Sequence, residues 1–199
     1  MGCSQSWLAV RGKRSTAVLE TLGLRGTGTR EEIAESPIVG AELPNGWYLV
    51  VADRSGHPLM RDQTLQRLSA GCEVVTGDVE EHVMVSIATG WKEGQRVWSL
   101  THDAQRDMEH LQTEGELPAA FAGIRDRLRS EQQAAGGRKA EVDYIFDLPV
   151  ELAATLTGYR HDADIPGAGA EPFEVLVETL SSASASTGRP SFLKRLFGG

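Results

Sequence analysis

At 199 residues the chain is long enough to bury roughly 70% of its unfolded surface, so a core held without disulfides or metal is within its reach. An apolar share of 40% beside 24% charged residues excludes a disordered or fibrous chain. With 28 acidic against 20 basic residues the net charge is −8, which repels phosphate backbones and anionic lipid, so nucleic acid is not an expected partner.

Two cysteines, Cys3 and Cys72, lie far apart with no second thiol or histidine at ligand spacing. They indicate neither a disulfide framework nor a zinc site, and no metal or other cofactor is expected. No apolar run approaches the ~18 residues of a membrane helix. The first residues lack a basic start and apolar stretch, so a cytoplasmic protein without stable membrane insertion is expected. Met1-Gly2-Cys3-Ser4-Gln5-Ser6 meets the formal pattern for myristoylation, with Cys3 placed for a second lipid. A strand starting near Ser6 leaves such a lipid no spacer, so the unmodified chain is the expectation.

Trp7-Leu8-Ala9-Val10 reads as a first strand. Ser15 or Thr16 then caps a helix bearing Ala17, Val18, Leu19 and Leu22 and closed by Gly23. A polar, Gly-rich stretch from Gly26 to Ser36 leads to Ile38–Leu43 and Trp47–Ala52, a hairpin turned at Pro44-Asn45-Gly46. From Pro58, the residues Leu59, Met60, Leu65 and Leu68 form a helical face stopped by Gly71, and Glu73-Val74-Val75 opens another strand. The order strand, helix, strand, strand, helix, strand predicts a ferredoxin-like βαββαβ plan. A second hairpin, His82–Thr89 with Gln95–Thr101 around Lys92-Glu93-Gly94, widens this α+β antiparallel sheet to about six strands.

Beyond Asp103 the pattern turns helical. Asp103 is expected to cap a helix through Met108 and Leu111 to Gly115. Pro118 opens another with Phe121, Ile124 and Leu128, ended by Gly136-Gly137. Val142–Phe146 is a candidate seventh strand. A further helix is expected over Pro149–Leu156, capped by Asp147 and closed by Gly158, and a last one over Phe173–Leu180. Residues 1–180 are thus expected to form one α+β domain. A Ser/Ala/Gly linker over 181–191 and a short apolar-basic tail over 192–199 follow it.

A turn centred on Glu93-Gly94 sets Met84 opposite Asp103 and Val85 opposite His102. Val83, Val85, Ile87, Trp98 and Leu100 then share the buried face, which His102 ends. His82 falls diagonal to Asp103 on the other face, with Glu81 beside it, and these three are the catalytic candidates. Gly12-Lys13-Arg14-Ser15 and Arg25-Gly26-Thr27-Gly28 are candidate phosphate cradles, but both lack the full motif. Trp98 is expected in the core. Trp47 follows a turn and Trp91 ends a hairpin arm, which makes them candidate contact residues. In the tail, Phe192, Leu193, Leu196 and Phe197 would share one side of a helix beside Lys194 and Arg195, a docking pattern.

The expectation for function is a non-catalytic protein-binding or adaptor module whose partner is basic, as for inhibitor or immunity proteins. The alternative is a small hydrolase or metal-assisted enzyme centred on His82 and Asp103. Exposed hairpin edges permit a homodimer without requiring one.

Overall fold

Trp7, Leu8, Ala9 and Val10 are all buried because strand β1 (Ser4–Arg11) lies inside a sheet covered on both faces. The computed structural model of the protein describes residues 2–179. After β1 come α1 (Ser15–Leu22), β2 (Leu24–Glu31), β3 (Ile38–Glu42), β4 (Tyr48–Ala52), α2 (Asp62–Leu68) and β5 (Glu73–Glu80). The second half adds β6 (Val85–Lys92), β7 (Gln95–Asp103), β8 (Gln112–Gly115), α3 (Ala120–Ala134), α4 (Asp147–Thr157) and β9 (Phe173–Glu178).

The strands form one sheet in the order β2-β9-β3-β4-β1-β5-β6-β7-β8, antiparallel at every pairing. Alternation along β1 sorts the core into two layers. Leu8 and Val10 meet Val18 of α1 and Leu65 and Leu68 of α2. Trp7 and Ala9 lie in the opposite layer with Ile124 and Leu128 of α3 and Leu148 and Leu152 of α4. No helix among the described residues is long and apolar enough to cross a membrane.

The first hairpin forms as its turn residues require. Leu43 N–H donates to the Trp47 carbonyl at 2.8 Å, Gly46 N–H donates to the Leu43 carbonyl at 3.0 Å, and Gly46 takes φ 84°, which a side chain would strain. Asn45 Nδ2 ties this turn to the end of α4 by donating to the Thr157 carbonyl at 2.7 Å.

Among the described residues the sheet has nine strands rather than about six, so the expected six-strand ferredoxin-like count does not hold. Phe173–Glu178 is not a helix. Its Phe-Glu-Val-Leu-Val-Glu run is inserted between β2 and β3 as strand β9, where both edges find partners. The first part of the Gly-rich stretch, through Glu31, belongs to β2, whose bonds come from β9. No helix runs from Asp103 to Gly115: the carboxylates of Asp103 and Asp107 accept from the amides of Gln105 and Glu109 at 3.0 and 2.8 Å, closing two successive turns. The chain then pairs Gln112–Gly115 with β7. Val142–Phe146 is no strand but a turn into α4. Ser15 and Thr16 do not cap α1, whose N-terminal flank is Arg14 without a side-chain cap.

Candidate functional site

The second hairpin turns where expected, with Glu93 at φ 50° and Gly94 at φ 76°, the pair of left-handed residues a two-residue hairpin turn uses. Lys92 faces Gln95 and Trp91 faces Arg96. A β-bulge then adds Val97 to β7, so Gly90 faces Trp98 and Val85 faces Asp103. This one-residue insertion corrects the expected register and moves side chains between faces. Ser86, Ala88, Gly90, Trp98, Leu100 and His102 are buried, while Val85 and Ile87 turn to the other side and Val97 is 42% exposed.

The three catalytic candidates are not brought together: Glu81 and His82 lie in the turn between β5 and β6, ahead of the paired strand. His82 is exposed and its Nδ1 meets Glu80 Oε1 at 2.6 Å. Asp103 instead accepts from the Gln105 amide at 3.0 Å and pairs with Arg106 at 3.3 Å. Glu81 turns to the start of the chain, accepting from the Cys3 amide at 2.7 Å, and its other oxygen stands 3.5 Å from His161 Nε2. The expected His82–Asp103 contact does not form.

His102 is a buried histidine whose side chain is fully covered. Its Nδ1 lies 2.8 Å from the His110 carbonyl and its Nε2 lies 2.9 Å from Asp143 Oδ2. Both nitrogens face oxygens, which fix the ring between the His110 carbonyl and the Asp143 carboxyl group. Asp143 Oδ1 accepts from the amides of Ile145 and Phe146 at 3.0 and 3.1 Å, and the Ser86 hydroxyl donates to the Phe146 carbonyl at 2.6 Å. Phe146 meets the imidazole edge-on. The pair thereby pins the turn before α4 to β6 and β7. Gln132 of α3 completes the tie, donating to the Gly137 carbonyl at 2.8 Å and accepting from the Tyr144 amide at 2.8 Å.

Trp47 and Trp91 are brought to one place, together with Trp98. They border a cleft of about 340 Å³ whose wall includes Val75, Val97 and Leu156. Trp47 and Trp98 belong to the core layer under α3 and α4, and Trp91 to the layer under α1 and α2, so the cleft opens at the sheet end where the layers meet. Trp98 lies over its cross-strand partner Gly90, where a Cβ would come within 2.0 Å of the indole nitrogen. Only glycine admits the ring there. The rim is charged. Arg11 stacks on Trp47 at 4.6 Å and bonds Glu73 at 2.5 Å, and Lys92 reaches Glu73 at 3.4 Å. The hydrogen bond from Arg11 holds the Glu73 carboxyl below its ordinary range. All three indoles are largely covered, so the cleft offers their edges beside the exposed Val97.

Neither phosphate candidate is open for that use. Lys13 caps α2 by donating to the Leu68 carbonyl at 2.7 Å, and the Glu174 carboxylate covers Gly26 and accepts from the Gly28 amide at 3.1 Å. Among the described residues no group of three or more His, Cys, Asp or Glu side chains is arranged to hold a metal ion. Phe192, Leu193, Leu196 and Phe197 lie outside the described residues. Sequence position singled out Trp47 and Trp91, but not Val97, Leu156 or the His102–Asp143 pair, which depend on the bulge and on contacts across long stretches of chain. No protein-family model matches this chain, and no curated protein or solved structure matches it either.

Proposed function

We propose that the chain is a non-catalytic protein-binding module of the cytosol, and that the tryptophan cleft seats an apolar side chain of its partner. The observation that carries this reading is the convergence of three indoles and the bulged, exposed Val97 on one cleft with a charged rim. Trp and Arg are the residues in which binding energy at protein interfaces concentrates, and a pocket for a buried anchor is its usual setting. The net charge of −8 favours encounter with a basic partner. The frame we infer is a ferredoxin-like unit of β5, β1, β4 and β3 under α1 and α2, extended by β9 and β2 on one side and by β6, β7 and β8 on the other. We further propose that residues 181–191 tether a docking segment carrying Phe192, Leu193, Leu196 and Phe197.

The test is affinity capture from the native cell with three forms: the full chain, a Val97→Asp variant and a chain ending at Arg189. Val97 is exposed on the cleft wall, so the substitution sets a charge where an apolar anchor would sit. A protein captured by the full chain and lost from the Val97→Asp variant is the expected result. Equal capture by those two forms overturns the cleft as the contact, and equal capture by the form ending at Arg189 overturns the tail.

A further inference from the structure

A second cleft, of about 510 Å³, lies under the connection between α4 and β9 and shares no lining residue with the tryptophan cleft. His161 lines it with a side chain only 3% exposed, and neither ring nitrogen has a hydrogen-bond partner. Glu81 stands 3.5 Å from Nε2, near enough for charge attraction, yet it makes no hydrogen bond with the ring. A buried imidazole with two unused nitrogens is costly unless something completes it. At the same end, the Tyr159 hydroxyl donates to Gln5 Oε1 at 2.9 Å, and Gln5 and Tyr159 both line the cleft.

The charge around this site has one sign. Glu32 and Asp164 line the cleft, and Glu81 lies behind the imidazole. The neighbouring guanidiniums are held elsewhere: Arg160 pairs with Asp147 at 2.8 Å and Asp162 at 2.6 Å, and Arg30 donates to the carbonyls of Glu171 and Pro172. Burial pushes the Cys3 thiol up, and Glu81 and Asp162 push it further, which places their negative field at this corner of the molecule. An anionic ligand is repelled by such a setting. The remaining lining is apolar, with Ile33, Ile165, Ala168 and Phe173. Ile33 is 56% exposed beside Glu32.

We propose that this cleft binds an alkylammonium group, with the cation facing Glu32, Asp164 and the lone pair of His161, and the alkyl body against Ile33, Ile165 and Phe173. An Nε2–H turned toward Glu81 would leave Nδ1 to accept from the ammonium. The group comes either from a free amine or from a lysine side chain of a basic protein. The proposal stands apart from the tryptophan cleft and does not depend on it.

The test uses the full chain with labelled histidine rings and isoleucine methyls, titrated with n-butylammonium, n-butanol and butyrate while the NMR signals of His161, Ile33 and Ile165 are followed. Saturable shifts with butylammonium at a Kd of about 1 mM or tighter, and none with butyrate, are expected for so small a ligand. A Glu32→Gln/Asp164→Asn variant, which alters only exposed groups, should weaken the affinity about fivefold. A lysine with both backbone ends blocked distinguishes the sources: binding as tight as butylammonium assigns the site to a protein side chain, and binding of butylammonium alone assigns it to a free amine. No saturable shift, equal response to butanol or butyrate, or unchanged affinity in the variant overturns the proposal.

Discussion

Replacing Asp143 discriminates between two accounts of the buried polar centre. Asp143→Ala removes the acceptor for the Ile145 and Phe146 amides and leaves His102 Nε2 without a partner in a fully covered site. Breaking a buried pair from one side costs roughly 3–5 kcal/mol, a large part of a total stability of about 5–15 kcal/mol. For a protein of this size that is a fall in Tm of about 6–20 °C. Asp143→Asn behaves differently. Its carbonyl oxygen still accepts from both amides, and its NH2 can donate to Nε2 of a neutral imidazole that keeps its Nδ1–H bond to His110. Every contact can be made in this variant, so the cost should stay within about 1 kcal/mol. Urea unfolding at neutral pH, followed by tryptophan fluorescence, measures both variants. An Asp143→Asn variant as unstable as Asp143→Ala would refute the hydrogen-bond account of this pair, and an Asp143→Ala cost below about 1 kcal/mol would refute the pinning role altogether.

Two other predictions follow from single side chains. Because Arg11 depresses the Glu73 carboxyl in the folded protein, the stability it contributes is fully present above the ordinary glutamate range and is lost as pH falls through the depressed value. Glu73 is partly exposed, so the difference in unfolding free energy between the parent and Glu73→Gln should be only about 0.5 kcal/mol at pH 6 and should close toward pH 3. A difference that persists or grows at pH 3 contradicts this. At Gly77, a Cβ would come within 2.3 Å of the Trp7 ring, which packs across the strand from it in the core. Gly77→Ala should therefore cost about 1–3 kcal/mol and change the tryptophan emission of the folded state, and a Tm equal to the parent's would show that the ring can move aside freely.

Local chemistry made one half of this fold readable. The Asn45-Gly46 and Glu93-Gly94 turns, the Gly23 and Gly71 helix stops and the doubly buried run Trp7–Val10 all act within a few residues. The parts that escaped draw their structure from distant chain. Leu24–Glu31 has no apolar alternation to mark it as a strand, since the Glu174 carboxylate rather than a core layer covers Gly26 and takes the Gly28 amide. The Phe173–Glu178 run is short enough to suit a strand or a helix, and only the open edges of β2 and β3 decide. The bulge at Val97 is silent in a single strand, because a register exists only between two. That residue turned Ser86 and Ala88, instead of Val85 and Ile87, to the buried face beside Leu100 and His102. Likewise, His161 gains its meaning from Glu81, brought beside it from far earlier in the chain.

Deuterium exchange of the captured complex against the free chain tests the binding account most directly. Slowed exchange over residues 73–75, 90–92 and 96–98, which frame the tryptophan cleft, is the predicted result. A complex that protects other surfaces and leaves these three segments unchanged would contradict it.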